Sequence, residues 1–143
     1  MCDLPGTILI VDDSPEVVRY IQLFLSKNFT KITIDTAGSF HEARQKLACR
    51  RYNLVISDYL LDADQTGVDL YEQSSKQGDW VFMTANDKLV REGHPDIDII
   101  PKPLCSKTLK ESIHKRLLTN QVKRKAKSLF ESMDIVGAML TYA

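Results

Sequence analysis

The sequence predicts an α/β fold: a five-stranded parallel β-sheet with helices on both faces, five strand–helix units in all, and a C-terminal helix extended beyond them. Short apolar runs rich in β-branched residues alternate along the chain with segments of helical spacing. The runs lack polar alternation, as strands covered on both faces do. Four of them are followed at once by polar residues: Asp12 and Asp13, Asp58, Thr84, and, one proline later, Lys102. In an open parallel sheet such strand ends share one rim, where ligands gather at the topological switch point.

The elements follow in order. Thr7 to Val11 reads as a buried strand. Ser14 suits a helix N-cap with Pro15 at the first helical position. Val17, Val18, Ile21, Phe24 and Leu25 then recur at helical spacing. Ile32 to Ile34 is a second strand. Ser39 caps a helix whose stripe is Phe40, Ala43 and Leu47. Asn53 to Ser57 is a third strand, ending at Asp58. A loop from Leu61 to Gly67 leads to a short helix through Leu70, closed by Gly78. Trp80 to Met83 is a fourth strand, ending at Thr84. Asn86 to Glu92 is a short helix, stopped by Gly93 and Pro95. Ile97 to Ile100 is the fifth strand, before Lys102-Pro103, and helix resumes near Ser106.

The length of 143 residues suits one domain with a short extension. Hydrophobic residues at 43% and charged residues at 27% describe an ordinary globular mixture, which argues against a disordered chain. Cys2, Cys49 and Cys105 match neither a disulfide framework nor a zinc spacing, so the expected compartment is reducing and cytoplasmic. No apolar run approaches a membrane span, and the N-terminus lacks the basic flank of a signal peptide. The net charge is zero but lopsided, −5 over residues 1–105 and +5 over residues 106–143. That balance does not favour direct nucleic-acid binding by the whole molecule.

Alone, Asp12 and Asp13 read as helix-capping carboxylates, Asp58 as a turn residue, Thr84 as a strand threonine and Lys102 as a solvated lysine. Together on one rim they read differently. Three carboxylates at close quarters raise one another's pKa, and a divalent cation relieves that repulsion. Carboxylate, carbonyl and water oxygens suit Mg2+. A metal, a lysine and a hydroxyl around one carboxylate would stabilise a transferring phosphoryl group, with Asp58 as nucleophile forming an acyl phosphate.

With these residues in view, the sequence resembles the receiver domain of two-component response regulators (CheY-like). The resemblance rests on Ile8-Leu9-Ile10-Val11-Asp12-Asp13-Ser14, Leu54-Val55-Ile56-Ser57-Asp58, Met83-Thr84-Ala85 and Pro101-Lys102-Pro103, and covers about residues 7–118. It implies a flavodoxin-like (βα)5 fold. Asp58 resembles the phosphoacceptor. Asp12 and Asp13 resemble the acidic pair that holds Mg2+, Asp13 more directly, with Asp58 and the backbone carbonyl of Leu60 completing the metal site. Thr84 resembles the switch hydroxyl, and Lys102 the lysine that contacts the phosphoryl group. The Lys102-Pro103 bond is expected to be cis, as it commonly is in the family. The implied partners are a sensor histidine kinase or phosphotransfer protein upstream and an output protein or domain downstream. The implied role is a phosphoprotein switch and not a turnover enzyme.

The chain also departs from the family pattern. Gly67 stands nine residues after Asp58 where eight is usual, and Leu61, Asp62 and Ala63 replace a Met-Pro stretch. Ile99 stands where the family usually has an aromatic residue, so the usual coupling of a ring to the threonine is expected to be altered. Leu60 and Asn86 flank the water route to an acyl phosphate by position. An apolar Leu60 predicts slow self-dephosphorylation relative to Leu60→Asn, unless Leu60 simply packs on the loop. His41, His94 and His114 lack ligand spacing and read as surface residues.

The resemblance makes residues 1–118 the receiver domain and 119–143 a helical extension. Leu118, Val122, Ala126, Leu129, Met133, Val136 and Leu140 approximate a heptad seam, and the last helix is expected to run on as one rod. The extension is a homodimer seam, the start of a truncated output region, or a segment folded back on the body. The basic cluster Lys123 to Lys127 reads as a solvated helix face, and no helix-turn-helix signal accompanies it.

Three rivals remain. A degenerate receiver would act as a phosphorylation-independent interaction or dimerisation module. An aspartate-nucleophile phosphatase of the haloacid-dehalogenase type would need a second Asp two residues after the nucleophile, and Leu60 stands there. A flavodoxin-like cofactor binder would meet repulsion between Asp12, Asp13 and its phosphate.

Overall fold

Gly6–Val11 forms the strand β1, and every residue from Ile8 to Val11 is fully buried. In this computed structural model the chain is described at residues 4–62, 64–74, 78–93 and 97–142. The expectations for Cys2, Ala63, His94 and Pro95 lie outside the described residues. β1 is followed by α1 (Pro15–Asn28), β2 (Ile32–Ala37), α2 (Phe40–Cys49) and β3 (Leu54–Asp58). β4 (Leu60–Asp62), β5 (Gln65–Thr66) and α3 (Gly67–Gln73) come next. The chain closes with β6 (Asp79–Thr84), α4 (Asp87–Gly93), β7 (Asp98–Pro101) and α5 (Ser106–Tyr142).

The main sheet has five parallel strands in the order β2-β1-β3-β6-β7. Strand alternation splits its side chains into two apolar layers. Ile8, Ile10, Leu54, Ile56, Val81 and Met83 point to one face, where Ile21, Phe24 and Leu25 of α1 and Leu109, Ile113 and Leu117 of α5 cover them. Leu9, Val11, Val55, Trp80 and Phe82 point to the other, under Phe40 and Ala43 of α2 and Val68 and Leu70 of α3. Each large side chain so buried stabilises the fold by about 1.5–3 kcal/mol. Both faces are covered, which explains the near-continuous apolar strands in the sequence.

The caps follow their residues. Ser14 accepts from the Val17 amide and Ser39 from the Glu42 amide. The chain runs from β1 outward to β2 on one side and then crosses back past β1 to β3 on the other, so the direction of winding reverses at β1. A crevice therefore opens above β1 and β3 at their carboxyl ends.

The segment read from sequence as a loop, Leu61 to Gly67, contains a small antiparallel hairpin of β4 and β5. Thr66 then caps α3 through a capping box with Asp69, so the helix begins at Gly67 and reaches Gln73, beyond Leu70. Ser74 is its C-cap. Gly78 does not close that helix. It sits at φ +77° before β6, and a Cβ there would strike the Tyr52 carbonyl, so glycine is required by both torsion and space. The fourth strand begins one residue earlier than expected, at Asp79, and the fifth runs Asp98–Pro101.

α5 is one continuous helix, as the apolar spacing implied, and it leaves the sheet without folding back. Midway along, where it passes the end of the sheet far from the crevice, it is held in place. Asn53 donates to the Asn120 side chain at 3.3 Å, Asn120 donates to the Asn53 carbonyl at 3.5 Å, and Lys123 stands 3.7 Å from Asp79. No helix among the described residues is long and apolar enough to cross a membrane.

Candidate functional site

The rim above β1, β3, β6 and β7 collects the polar residues that end those strands. Asp12 continues the β1 ladder, its amide donating to the Ala37 carbonyl at 3.1 Å. Its side chain is 1% exposed and fully engaged. Oδ1 accepts from the Ser14 amide at 2.9 Å and Oδ2 accepts from Lys102 Nζ at 3.2 Å. Asp13, the next residue, points outward and is exposed. Asp58 ends β3, and Lys102 Nζ lies 3.3 Å from its Oδ1. One ammonium group thus bridges two carboxylates from neighbouring strands.

Lys102 is delivered there by the end of β7. Its amide donates to the Thr84 carbonyl at 2.7 Å, which ties the lysine loop to the end of β6. The Lys102-Pro103 bond is cis, as the resemblance led one to expect. Thr84 is buried, one residue past the Met83 that registers with Asp58. Its Oγ1 accepts from the Asn86 amide at 3.0 Å. A hydroxyl that accepts one hydrogen bond still has its own proton to donate.

The electrostatics match this crowding. Burial, then the Asp12 charge, pushes the Asp58 carboxyl above the ordinary carboxylate range. Lys102 pulls it back without cancelling the rise, and Asp13 adds to it. Burial works to lower Lys102, but Asp58 and Asp12 together outweigh it and hold the ammonium above its usual value. A carboxylate that resists ionisation beside two others is a group short of positive charge. Asp12, Asp13 and Asp58 each bring one oxygen within 4.8 Å of the others. That all-oxygen set fits a hard divalent cation.

The remaining predicted residues are distributed as follows. Leu60 stands in β4, two residues past Asp58, and its side chain is 64% exposed, so it does not pack on the loop. Ile99 lies half-buried in β7, in register with Phe82. His41 and His114 are exposed. Sequence reasoning noticed Gly67 only as a spacing marker. A Cβ at Gly67 would lie 2.5 Å from the Asp58 carbonyl oxygen, 2.9 Å from Ser57 Oγ and 3.0 Å from Phe82. The buried Ser57 hydroxyl donates to that same carbonyl at 3.0 Å. The backbone of Asp58 is therefore held from behind by Gly67 and Ser57. A glycine opening a helix just after an acidic strand end was the only available signal.

Comparisons with known proteins agree with this arrangement. A family model described as the response regulator receiver domain matches residues 8–114. The sensory transduction protein LytR of Staphylococcus haemolyticus (strain JCSC1435) is 31% identical over 112 residues. That match covers 75% of this chain and 43% of the relative, so the chain spans less than half of the curated protein it resembles. Among solved structures, the signal receiver domain of an HD domain-containing protein from Pseudomonas fluorescens Pf-5 aligns with a TM-score of 0.72 at 22% identity, over 87% of this chain and 96% of that one. The chemotaxis response regulator CheY4 of Vibrio cholerae aligns at 0.64 and 20% identity, over 78% and 98%. The response regulator PhyR of Brucella abortus aligns at 0.76 and 17% identity, over 88% of this chain and 53% of that one. At such identities the structural likenesses speak to the fold alone. The family model spans the rim from β1 through Lys102 and on into α5, and with it the chain belongs to the response regulator receiver domain family.

Proposed function

We propose that Asp58 accepts a phosphoryl group from a phosphohistidine of a sensor histidine kinase or a phosphotransfer protein, and that the modified domain changes its choice of downstream partner. The observation that carries this reading is the Lys102 ammonium, 3.2 Å from Asp12 and 3.3 Å from Asp58, beside a third carboxylate on Asp13. Asp12, Asp13 and Asp58, with the Leu60 backbone carbonyl, are the proposed ligands of Mg2+. Bound there, the cation supplies the charge neutralisation that phosphoryl transfer between two anionic groups requires.

A carboxylate oxygen of Asp58 forms the bond to phosphorus while the phosphorus–nitrogen bond of the donor breaks, and the imidazole leaves with the electron pair. Lys102 already faces Asp58 and compensates the charge of the incoming oxygens. Asp12 keeps that lysine aimed, since it holds the same ammonium from the other side. Thr84 retains a hydroxyl proton for a phosphoryl oxygen. The response is a shift of the face built from α4, β7 and α5 between two packings. The domain is read as a cytoplasmic phosphoacceptor in signalling and not as a turnover enzyme.

Incubation with acetyl phosphate and Mg2+, followed by intact mass, tests the reading. One added phosphoryl group is expected, and Asp58→Asn should abolish it. A second reading, a phosphorylation-independent interaction module, draws on Ile99 in place of an aromatic residue. It predicts no mass gain with acetyl phosphate or with a panel of histidine kinases, a result that would overturn the first.

A further inference from the structure

α5 carries two apolar faces, and they point in opposite directions. Within the body, Leu109, Ile113 and Leu117 are fully buried against the sheet. At about 100° per residue, Leu118, Val122, Ala126 and Leu129 fall about 140°, 180°, 220° and 160° around the helix from Ile113. They lie on the side facing away from the sheet, where Leu118, Val122 and Leu129 are 44%, 57% and 66% exposed. Nearer the start of α5 the same outward side is polar, with Glu111 and Lys115 exposed. The inward side changes in the reverse sense, continuing as Asn120, Arg124 and Lys127. The apolar face crosses the helix at Leu117 and Leu118, where the support of the sheet ends.

We propose that a second copy of this chain covers the outward stripe, so that two α5 helices pair as a coiled coil from Leu118 onward and form a homodimer. The stripe spacing is self-complementary. From Val122 the apolar positions alternate four and three residues apart, and the sequence continues that spacing through Met133, Val136 and Leu140. From Leu118 to Tyr142 the helix runs about 37 Å, or about three and a half heptads, which reaches the length that sustains a two-helix seam. The geometry of the bodies permits the pairing. Each sheet lies on the opposite side of its helix from the stripe, so two copies meet helix to helix with the bodies outside.

The charges select the same occupant. The stripe itself is uncharged, while Arg124 and Lys127 lie behind it on the inward side. Lys123 also falls on the inward half and only Lys125 flanks the stripe, so an acidic partner would be drawn mainly to the wrong side of the helix, whereas an identical apolar stripe fits the exposed one. In a parallel pairing Lys125 falls opposite Phe130 and Lys123 opposite Leu118, so no like charges meet across the seam.

Light scattering on the full chain at about 100 µM tests this, in the concentration range where even a modest dimer is populated. The expected mass is twice that of the chain. Val122→Glu with Leu129→Glu should weaken association at least about a hundredfold and give a monomer. Lys127→Glu, on the inward side of the same helix, should leave the dimer intact. Unchanged labelling of Asp58 by acetyl phosphate would verify that each variant is folded, and a circular dichroism melt does so whether or not labelling occurs. A monomeric wild type, a dimer that survives the double substitution, or equal loss in Lys127→Glu would each overturn the proposal.

Discussion

Replacing Gly67 with alanine should disturb Asp58 from behind without touching its carboxylate. The new Cβ would lie 2.5 Å from the Asp58 carbonyl oxygen, and ordinary contact begins at 3.4 Å, so the end of β3 or the start of α3 must retreat by about 0.9 Å. Ser57 Oγ at 2.9 Å and Phe82 at 3.0 Å close the other escape routes. Overpacking of this kind costs about 1–3 kcal/mol. Alanine returns at most about 1 kcal/mol of helix preference, and less at the first residue of α3. A net loss of about 1–2 kcal/mol lowers Tm by about 3–8 °C in a domain of this size. A displacement near 1 Å at a reacting group slows chemistry by as much as about a hundredfold. The acetyl phosphate labelling rate should therefore fall at least about tenfold. Gly93→Ala is the control, since a Cβ there meets nothing within 4 Å, and it should shift Tm by less than about 2 °C. A Gly67→Ala protein that melts within a degree of wild type and labels at the same rate would refute the packing argument.

Other perturbations read the rim directly. Asp58 titrates above its ordinary value when folded, so the folded chain holds that proton more tightly than the unfolded chain does. Ionisation then costs stability as pH rises from the ordinary value of 3.8 through the raised one. Asp58→Asn removes the cost, so in EDTA at neutral pH it should melt higher than wild type, and the gap should shrink as pH falls through that interval. Mg2+ at a hundredfold excess over its dissociation constant should stabilise the wild type by about 2.7 kcal/mol. That is a rise in Tm of about 5–10 °C, read by a thermal melt and reversed by EDTA. Asp13→Asn should lose most of it. Leu60→Asn should shorten the lifetime of the acyl phosphate, because an exposed amide can orient water where an exposed leucine cannot. Phosphate release measures the rate, and equal decay would remove Leu60 from the account.

The rim was legible in the sequence because it depends on local signals. Strand ends follow from apolar runs, and Asp12, Asp58, Thr84 and Lys102 stand at them whatever the tertiary detail. The length of α5 was legible for the same reason, since its spacing persists through Leu129 and beyond. The hairpin of β4 and β5 was not. Its strands have three and two residues, and Asp62 and Asp64 carry turn chemistry that outweighs so short an alternation. Gly78 follows a helix in the sequence and so resembles a helix stop, but its torsion serves the entry to β6. The role of Gly67 arises only when α3 is laid against the end of β3, an approach that residue type alone does not encode.

The anchoring of α5 at Asn53 and Asp79 has a mechanical consequence. The helix starts just after Lys102, crosses the sheet, and is pinned near Asn120 before running on beyond the body. About 33 Å of helix then lies beyond the pivot. A tilt of only about 5° in its first turns would sweep the far tip through about 3 Å, so a displacement too small to alter any core contact near Lys102 is magnified at the tip.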